Sequence, residues 1–252
     1  TLQFRKLWPA DVHLIGKDIL RFHAIIWPAI LLAAGLKTPK SIFVHGHITV
    51  DGKKMSKKVG NVIDPFQIAR KYGVDPLRYY LLREIPSHED GDYSVEKFEV
   101  RYNADLANNL GNLVSRVVAL IEQSFSGSFS YHREFVSKEV DEKIIETWKK
   151  YNQNINEFKL HVALGSVFSL IDFANSYVDE HKPWALSGEP ENLNKVITNL
   201  VVILLNVAWL LKPFLPGTSD EIFEILGADR DGKSWEEKPF LVKPKILFPK
   251  LQ

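Results

Sequence analysis

The sequence predicts an α/β unit that is followed by an antiparallel bundle of α-helices. Apolar runs at Val12–Gly16 and residues 41–50 enclose a stretch with helical spacing, and this strand–helix–strand order is typical of a parallel sheet. Beyond residue 94 the apolar residues recur with the period of amphipathic helices. A length of 252 residues, with 45% hydrophobic and 25% charged residues, indicates a globular protein of one large or two ordinary domains.

Glycine, proline and turn residues mark where each element of the strand–helix–strand segment begins and ends. Gly16 closes the first strand, and residues 17–34 have helical spacing, with a kink expected at Pro28 and an end at Gly35. The second strand runs into the turn at residues 51–52. Parallel sheets bind ligands beyond the carboxyl ends of their strands. We therefore expect a site where Gly16 and the segment after residue 50 meet.

Residues 50–65 read V-D-G-K-K-M-S-K-K-V-G-N-V-I-D-P and form what we call the lysine loop. The loop has four lysines in six positions between Gly52 and Gly60. A hinged basic loop can close on a polyphosphate, and the alternative is a solvated basic turn. It is not a P-loop, because five residues separate Gly46 from Gly52 where that motif has four, and Lys54 stands where a magnesium-binding Ser or Thr is needed.

The remainder of the chain is helical in pattern. Asp64 is expected to cap a helix that starts at Pro65, and the polar residues 85–93 are interpreted as a linker between two bodies. Apolar stripes predict helices at residues 106–121, 164–178 and 196–211. A weaker pattern predicts a helix at 138–158, and a short helix is expected at 219–226. Short loops between them favour an antiparallel bundle. The most apolar run, residues 200–211, is too short to span a bilayer and contains Asn206, so we predict a buried helix and no membrane partner.

Charge and cysteine content limit the classes of function. The net charge of +1 gives no overall attraction to nucleic acid or membrane, so a polyanion site must be a local patch. The sequence has no cysteine, which removes disulfides and thiolate metal sites and is compatible with a reducing location inside the cell. His45 and His47 could bind a metal from one strand face. Without a third convergent ligand, ordinary strand positions are the favoured interpretation, and no metal site is predicted.

Six sequence blocks occur in a characteristic order. They are V-H-L-I-G-K-D-I at 12–19, F-H-A-I-I-W-P-A at 22–29, F-V-H-G-H-I-T-V-D-G-K-K-M-S-K at 43–57, G-N-V-I-D-P at 60–65, N-A-D-L-A-N-N-L-G-N-L-V-S-R at 103–116 and Y-V-D-E-H-K-P-W at 177–184. In this order they resemble the methionyl-tRNA synthetase family of class I aminoacyl-tRNA synthetases over essentially the whole chain. Leucyl, isoleucyl, valyl or cysteinyl specificity is disfavoured by the block at residues 16–29 and by the downstream blocks.

The resemblance implies the C-terminal half of a Rossmann-type catalytic domain with its KMSKS-type loop, followed by a helical anticodon-binding bundle. It divides the chain into the catalytic half at residues 1–62, a connecting helical segment that contacts the tRNA stem at 63–102, and the anticodon-binding domain at 103–252. Members of the family also carry an upstream half-domain with an H-x-G-H motif and an inserted connective domain, which often holds zinc. Neither is in this sequence, because the triplet at residues 45–47 lacks the spacer and precedes a strand.

The resemblance implies an ATP-dependent ligase. The carboxylate of L-methionine attacks the α-phosphate of ATP to give methionyl-adenylate, and the methionyl group then passes to tRNA(Met). Lys54 and Lys57 would be the catalytic lysines that stabilise the leaving pyrophosphate, with the larger share at Lys57, while Lys58 replaces the serine usual in the family. Mg2+ would enter as the ATP complex. The implied ATP-binding residues are Gly16, Asp18, Ile48, Lys54, Ser56 and Lys57.

Two further sets of residues follow from the resemblance. Ile19 and His23, one helical turn apart, match positions that line the methionine pocket, although His23 alone would be an ordinary core histidine. The residues implied for the CAU anticodon are Asn112, Arg116, Pro183 and Trp184. Unpaired bases are read by stacking and by hydrogen bonds to their edges, which these side chains supply. From spacing alone, Trp184 would be a core aromatic and Arg116 a solvated helix residue.

Two hypotheses of different class follow. The first is an enzyme part, active only with the missing N-terminal half of a cytoplasmic synthetase. The second is a non-catalytic tRNA anticodon-binding module built from the same elements.

Overall fold

The structure is a computed structural model and describes residues 2–56, 58, 60–186, 188–230, 235 and 238–251. The chain forms two compact units. The N-terminal unit comprises Thr1–Ile63 and Ile85–Ser94, and the helical unit comprises Asp64–Glu84 and Val95–Gln252.

The N-terminal unit contains the predicted βαβ segment. After helix α1 (Leu2–Leu7), strands β1 (Val12–Gly16) and β2 (Ser41–His45) pair in parallel. A short turn and the helix Phe22–Ala33 connect them, which confirms the order inferred from the apolar runs. The helix begins with π-type hydrogen bonds and continues as α2 (Trp27–Ala33). Pro28 lies where the π-type hydrogen bonding gives way to α-type hydrogen bonding, and without an N–H it cannot donate to the carbonyl groups of the preceding turn.

A second, three-stranded sheet lies in the same unit, and it corrects two predictions. Its central strand β3 (Ile48–Val50) pairs antiparallel with β4 (Lys53–Lys54) and parallel with β5 (Gly91–Tyr93). The prediction of one strand over residues 41–50 is wrong, because the chain breaks between β2 and β3 at Gly46. The interpretation of residues 85–93 as a linker is also wrong, since this segment supplies β5 and belongs to the N-terminal unit.

Close backbone contact explains the break. A Cβ atom on Gly46 would lie 1.9 Å from the carbonyl oxygen of Glu89, so only glycine lets the two backbones approach. The approach places the backbone N–H of His47 within 2.7 Å of the Asp90 carboxylate. The contact is between segments forty residues apart, which local polarity does not reveal.

The helical unit confirms the predicted bundle. Asp64 accepts a hydrogen bond from the backbone N–H of Phe66 at 2.9 Å and so caps the first helix, as predicted. Two short strands, β6 (Ser128–Phe129) and β7 (Phe240–Leu241), form an antiparallel pair beside the helices. The helices are α3 (Pro65–Tyr72), α4 (Val74–Arg83), α5 (Val95–Arg101), the π-type segment Tyr102–Gly111, α6 (Asn112–Phe125), α7 (Lys138–Asn156), α8 (Leu160–His181), α9 (Pro190–Leu211) and α10 (Pro216–Leu226).

Helix α9 is the core of this unit. Fifteen of its 22 residues are buried, which explains its nearly uniform apolar sequence. By length and composition α9 is the one helix among the described residues that could cross a membrane, yet 78% of its most apolar window is buried inside the protein. Asn206 accepts a hydrogen bond from the Trp148 indole at 2.8 Å, so this polar residue is satisfied. The buried helix predicted here is confirmed.

Candidate functional site

The carboxyl end of β1 holds the acidic centre of the candidate nucleotide site. Asp18 Oδ1 lies 3.2 Å from Nε2 of His47, and Asp18 Oδ2 lies 4.0 Å from Nζ of Lys54. The Asp18 side chain is 65% exposed, so its oxygens remain accessible to a ligand. A Cβ atom on Gly16 would stand 3.7 Å from the imidazole of His45, so a larger side chain at Gly16 would fill the space above the strand end. The end of β1 therefore presents a carboxylate with an imidazole and an ammonium group within 4.0 Å of its oxygens.

The lysine loop is closed by hydrogen bonds between the Asn61 side chain and the loop backbone and by one backbone hydrogen bond. Asn61 accepts from the Ser56 N–H at 2.9 Å through Oδ1 and donates to the Lys54 carbonyl at 3.3 Å through Nδ2. Gly60 has a φ of 74° and donates to the Ser56 carbonyl at 3.0 Å, which requires the left-handed conformation that glycine adopts at no steric cost. The Lys54 side chain is 72% exposed, and Lys57 lies outside the described residues. Asn61 thus fixes the backbone, while the exposed Lys54 ammonium group remains accessible to an anion beside its long contact with Asp18.

Two aspartates of the β5 segment hold the elements that carry this site. Asp90 accepts from Lys17 Nζ at 2.5 Å and from the backbone N–H of His47. The hydrogen bond from Lys17, followed by that from His47, holds the pKa of the Asp90 carboxyl below its usual range. Asp92 Oδ1 accepts from Thr49 Oγ1 and from the backbone N–H of Gly52, each at 2.7 Å. Asp92 therefore fixes the turn that begins the lysine loop.

A second group of polar residues lies on the helical unit. Arg116 on α6 donates from Nη2 to Asp179 Oδ1 at 2.6 Å, which ties its guanidinium to the last turns of α8. Trp184 follows α8 in the short turn Pro183–Ala185, and its side chain is 57% exposed. Asn112 is exposed at the start of α6, four residues before Arg116. The exposed Trp184 indole suits the stacking of an unpaired base.

Comparison with known proteins decides the family. The family model described as tRNA synthetases class I (M) matches residues 1–118, and the model of the anticodon-binding domain of tRNA ligase matches residues 137–248. Methionine–tRNA ligases of Clostridium acetobutylicum and Bacillus subtilis are 45% and 42% identical over 98% and 99% of this chain. The chain belongs to the methionyl-tRNA synthetase family.

Solved structures of the family agree with this assignment. The methionyl-tRNA synthetase of Mycobacterium tuberculosis in complex with methionyl-adenylate matches with a TM-score of 0.89 at 35% identity, over 99% of this chain and 52% of that chain. The free form of the same enzyme matches with a TM-score of 0.86 at 32% identity, over 100% of this chain and 52% of that chain. The chain spans about 40% of the length of the curated relatives named above.

The family's implied methionine-binding pair lies in an aromatic cluster of the N-terminal unit. The Nδ1 atom of His23 is 3.0 Å from the carbonyl oxygen of Ile19, one helical turn earlier, and this contact orients the imidazole along the helix. The His23 ring meets that of His13 edge-on at 5.9 Å, and Trp8 packs against both His13 and Trp27 at 6.1 and 6.2 Å. Side-chain periodicity does not identify Trp8 and His13, because they approach the helix from outside it.

The structure brings some of the predicted site residues together and leaves others apart. Lys54 lies 4.0 Å from Asp18, two residues after Gly16, whereas the contacts of Ser56 are with its own loop. Ile48 opens β3 opposite Gly91, so its assignment to adenine remains a prediction. In the helical unit, Pro183 is buried and supports the exposed indole that follows it.

Three expectations from spacing alone are corrected. Trp184 is not a core aromatic, and Arg116 is held in an ion pair rather than solvated. His45 and His47 do not share a strand face, because His47 lies between strands and turns towards Asp18. Asp90 and Asp92 were not predicted as functional residues. Asp90 lies just before β5 and Asp92 lies within it. Their role follows from non-local contacts with the backbone N–H groups of His47 and Gly52.

Proposed function

We propose that the chain is the C-terminal part of a methionyl-tRNA synthetase. This enzyme would activate L-methionine with ATP to methionyl-adenylate and transfer the methionyl group to tRNA(Met). The observation that carries the proposal is the placement of Asp18 at the end of β1, opposite Lys54 of the lysine loop, in a chain related to methionine–tRNA ligases over 99% of its length.

The chemistry asks the protein for positioning and charge stabilisation. As the methionine carboxylate attacks the α-phosphate, negative charge builds on that phosphate and on the leaving pyrophosphate. Lys54 is exposed and pre-placed for this charge, and Lys57 is assigned the larger share from the sequence motif. Asp18 would accept hydrogen bonds from the ribose hydroxyls, and Gly16 would allow the nucleoside to approach the backbone. Magnesium would arrive with ATP, and no residue of this chain is assigned to it.

The amino acid and the tRNA have separate assignments. Ile19 and His23 would line the methionine side chain. Asn112 and Arg116 would hydrogen-bond to anticodon bases, and Trp184 would stack on one of them. A cytoplasmic location is part of the proposal and rests on the reducing environment that a cysteine-free sequence tolerates.

The proposal includes a second polypeptide segment. The relatives contain more sequence than this chain, and the family's H-x-G-H motif and connective domain belong to that additional part. Exposed apolar side chains in the N-terminal unit support the idea, since Leu14, Ile25 and Leu32 are each about two-thirds exposed. A missing half-domain that covered them would also supply the second half of the ATP site.

The test is ATP–pyrophosphate exchange with methionine, measured on the 252-residue chain alone and after addition of an N-terminal half from a family member. We expect exchange only in the mixture. In the mixture, Lys54→Ala should lower the exchange rate about 100-fold or more, as removal of one preorganised charge stabiliser does elsewhere. Lys53→Ala is the matched control, because Lys53 is adjacent to Lys54 in β4 and its side chain points to the opposite strand face. This substitution should lower the exchange rate less than about tenfold.

Two results would contradict parts of this proposal. Exchange by the chain alone would contradict the need for a second segment. Lack of exchange in the mixture, together with retained tRNA binding, would favour the non-catalytic anticodon-binding module. For such a module, Lys54→Ala would lower the affinity for tRNA by no more than the loss of one salt-dependent phosphate contact.

A further inference from the structure

A basic pocket lies within the helical unit, outside the nucleotide-binding and anticodon-binding residues assigned above, and one of its residues, Arg83, falls in the segment 63–102 for which the family resemblance implies contact with the tRNA stem. Helices α4, α7 and α8 line a solvent-open pocket of about 370 Å3. The polar side chains that carry the argument are those of Arg83, Lys143, Glu146, Lys150, Ser166 and Ser169.

Arg83 is the unusual member of this pocket. Its Nε atom is buried and has no hydrogen-bond partner, and no ion pair joins its guanidinium to another residue in the part of the chain that the structure describes. A Cβ atom on Gly165 would lie 3.8 Å from the Arg83 Cζ atom, so the glycine leaves open the space on that side of the guanidinium. A partly buried cation without a counter-ion is costly, and an anion from solution would remove that cost.

The two lysines add to this unbalanced charge. Glu146 is the one carboxylate among the described residues that line the pocket. It already lies 2.7 Å from Lys150 and 4.0 Å from Lys143, and the hydrogen bond from Lys150 lowers the pKa of the Glu146 carboxyl. Three cations therefore face one acid, and Arg83 is the cation left without a partner. The surplus of positive charge is about two elementary charges at neutral pH.

The donors in the pocket fit a tetrahedral oxyanion. Arg83 offers a planar fork of N–H groups, the lysines offer ammonium groups, and Ser169 adds an exposed hydroxyl at the rim. We propose that this pocket binds a phosphate group, carried either by a free phosphorylated molecule or by an RNA backbone. The proposal does not depend on the proposed enzymatic activity, because the binding residues lie outside the nucleotide and anticodon assignments.

Titration calorimetry with inorganic phosphate tests the site on the whole chain. Arg83→Gln should weaken phosphate binding about tenfold or more, since it removes a charged hydrogen-bonding group. Lys138→Gln is the matched control, because it removes one positive charge from the exposed start of α7, outside the pocket. Its phosphate affinity should stay within about twofold of the unmodified chain.

A second variant keeps the test valid if Arg83→Gln does not fold. Gly165→Glu places a carboxylate next to Arg83 as an internal competitor for the anion. We expect phosphate binding to be lost while the melting temperature stays the same or rises, because glutamate has a higher helix propensity than glycine. Phosphate binding that is undetectable in the unmodified chain at millimolar concentration, or that survives both substitutions unchanged, would overturn the proposal.

The source of the phosphate is decided with a tRNA(Met) transcript. If an RNA backbone occupies the pocket, Arg83→Gln should reduce the salt dependence of tRNA binding by about one released counterion. If a free phosphorylated molecule occupies the pocket, the salt dependence of tRNA binding by Arg83→Gln should match that of Lys138→Gln. Arg83→Gln should still lose binding of inorganic phosphate. Each result supports the pocket and assigns its ligand to one source.

Discussion

The two units of the chain differ in how much of their apolar surface they bury. Among the described residues, the N-terminal unit buries five large apolar side chains, Ile15, Leu31, Phe43, Val50 and Tyr93. Helix α9 alone buries fifteen residues. The N-terminal unit instead exposes apolar residues on both β1 and the helix after it, including Leu14 and Ile25.

The residues that stabilise the fold and the residues of the candidate nucleotide site therefore lie mostly in different units. Burial of apolar surface is the main favourable term in folding, so the helical unit contains most of what stabilises the chain. The N-terminal unit carries the candidate nucleotide site on small sheets that are held by side-chain-to-backbone hydrogen bonds from Asp90 and Asp92. A unit built in this way tolerates substitutions on its apolar surface but depends on a few specific polar contacts.

The largest predicted effect breaks the core of the helical unit. Leu200 on α9 is fully buried, and Leu200→Ala should lower the free energy of unfolding by about 2–5 kcal/mol through lost burial and the cavity left behind. Leu14→Ala is the matched control, because the same atoms are removed from a side chain that is 68% exposed. Its cost should stay within about 0.5 kcal/mol.

Urea titration followed by circular dichroism measures the first variant, and amide hydrogen exchange in β1 measures the second. Equal costs for the two substitutions would mean that Leu14 is buried in solution. The contrast between the units would then fail for the isolated chain.

The next effect concerns the close backbone contact of the N-terminal unit. Gly46→Ala places a methyl group 1.9 Å from the Glu89 carbonyl oxygen, so the backbone must shift. We expect a loss of about 1–3 kcal/mol of local stability, as for other overpacked sites. Faster hydrogen exchange of the Gly91 amide, which donates to the His47 carbonyl at 2.9 Å, would report it.

A matched glycine substitution sharpens that test. Gly188 has no other heavy atom within 4 Å of its hypothetical Cβ, so Gly188→Ala should change stability by less than about 0.5 kcal/mol. If Gly46→Ala left the exchange of Gly91 unchanged, then the pairing of β3 with β5 would not depend on the glycine.

Local sequence patterns predicted the elements well, since their causes are local. Apolar period and the Asp64 cap predicted the βαβ segment and the bundle, because amphipathic spacing and capping act within a few residues. Strand β5 was missed because its partner β3 lies about forty residues earlier. Residues 85–93 are polar for a different reason than a linker would be. Asp90 and Asp92 accept hydrogen bonds from backbone N–H and hydroxyl groups of the neighbouring strand segment.

The sequence also predicted those parts of the candidate site that follow from local rules. The rule that ligands bind at strand carboxyl ends placed Gly16 and the lysine loop together, and the distance from Asp18 to Lys54 agrees with it. The orientation of His47 towards Asp18 was not predictable, because it follows from the non-local contact at Gly46. The pocket at Arg83 was missed for a similar reason, since three separate helices form it.

The smallest predicted effect tests the polar contacts directly. The pKa of Asp90 is lowered, first by the hydrogen bond from Lys17, so its carboxylate stabilises the N-terminal unit at pH values above its ordinary pKa of about 3.9. This contribution is lost as the pH falls through the lower pKa of the folded state. The amide NMR signal of His47, which donates to Asp90, should therefore titrate with a midpoint below that ordinary value. Lys17→Gln should move the midpoint upward, because it removes the largest cause of the shift, whereas Lys53→Gln on the neighbouring hairpin should not. A midpoint at the ordinary value in the unmodified chain would show that Asp90 is solvated, and the N-terminal unit would then lack one of the two carboxylates that hold its sheets.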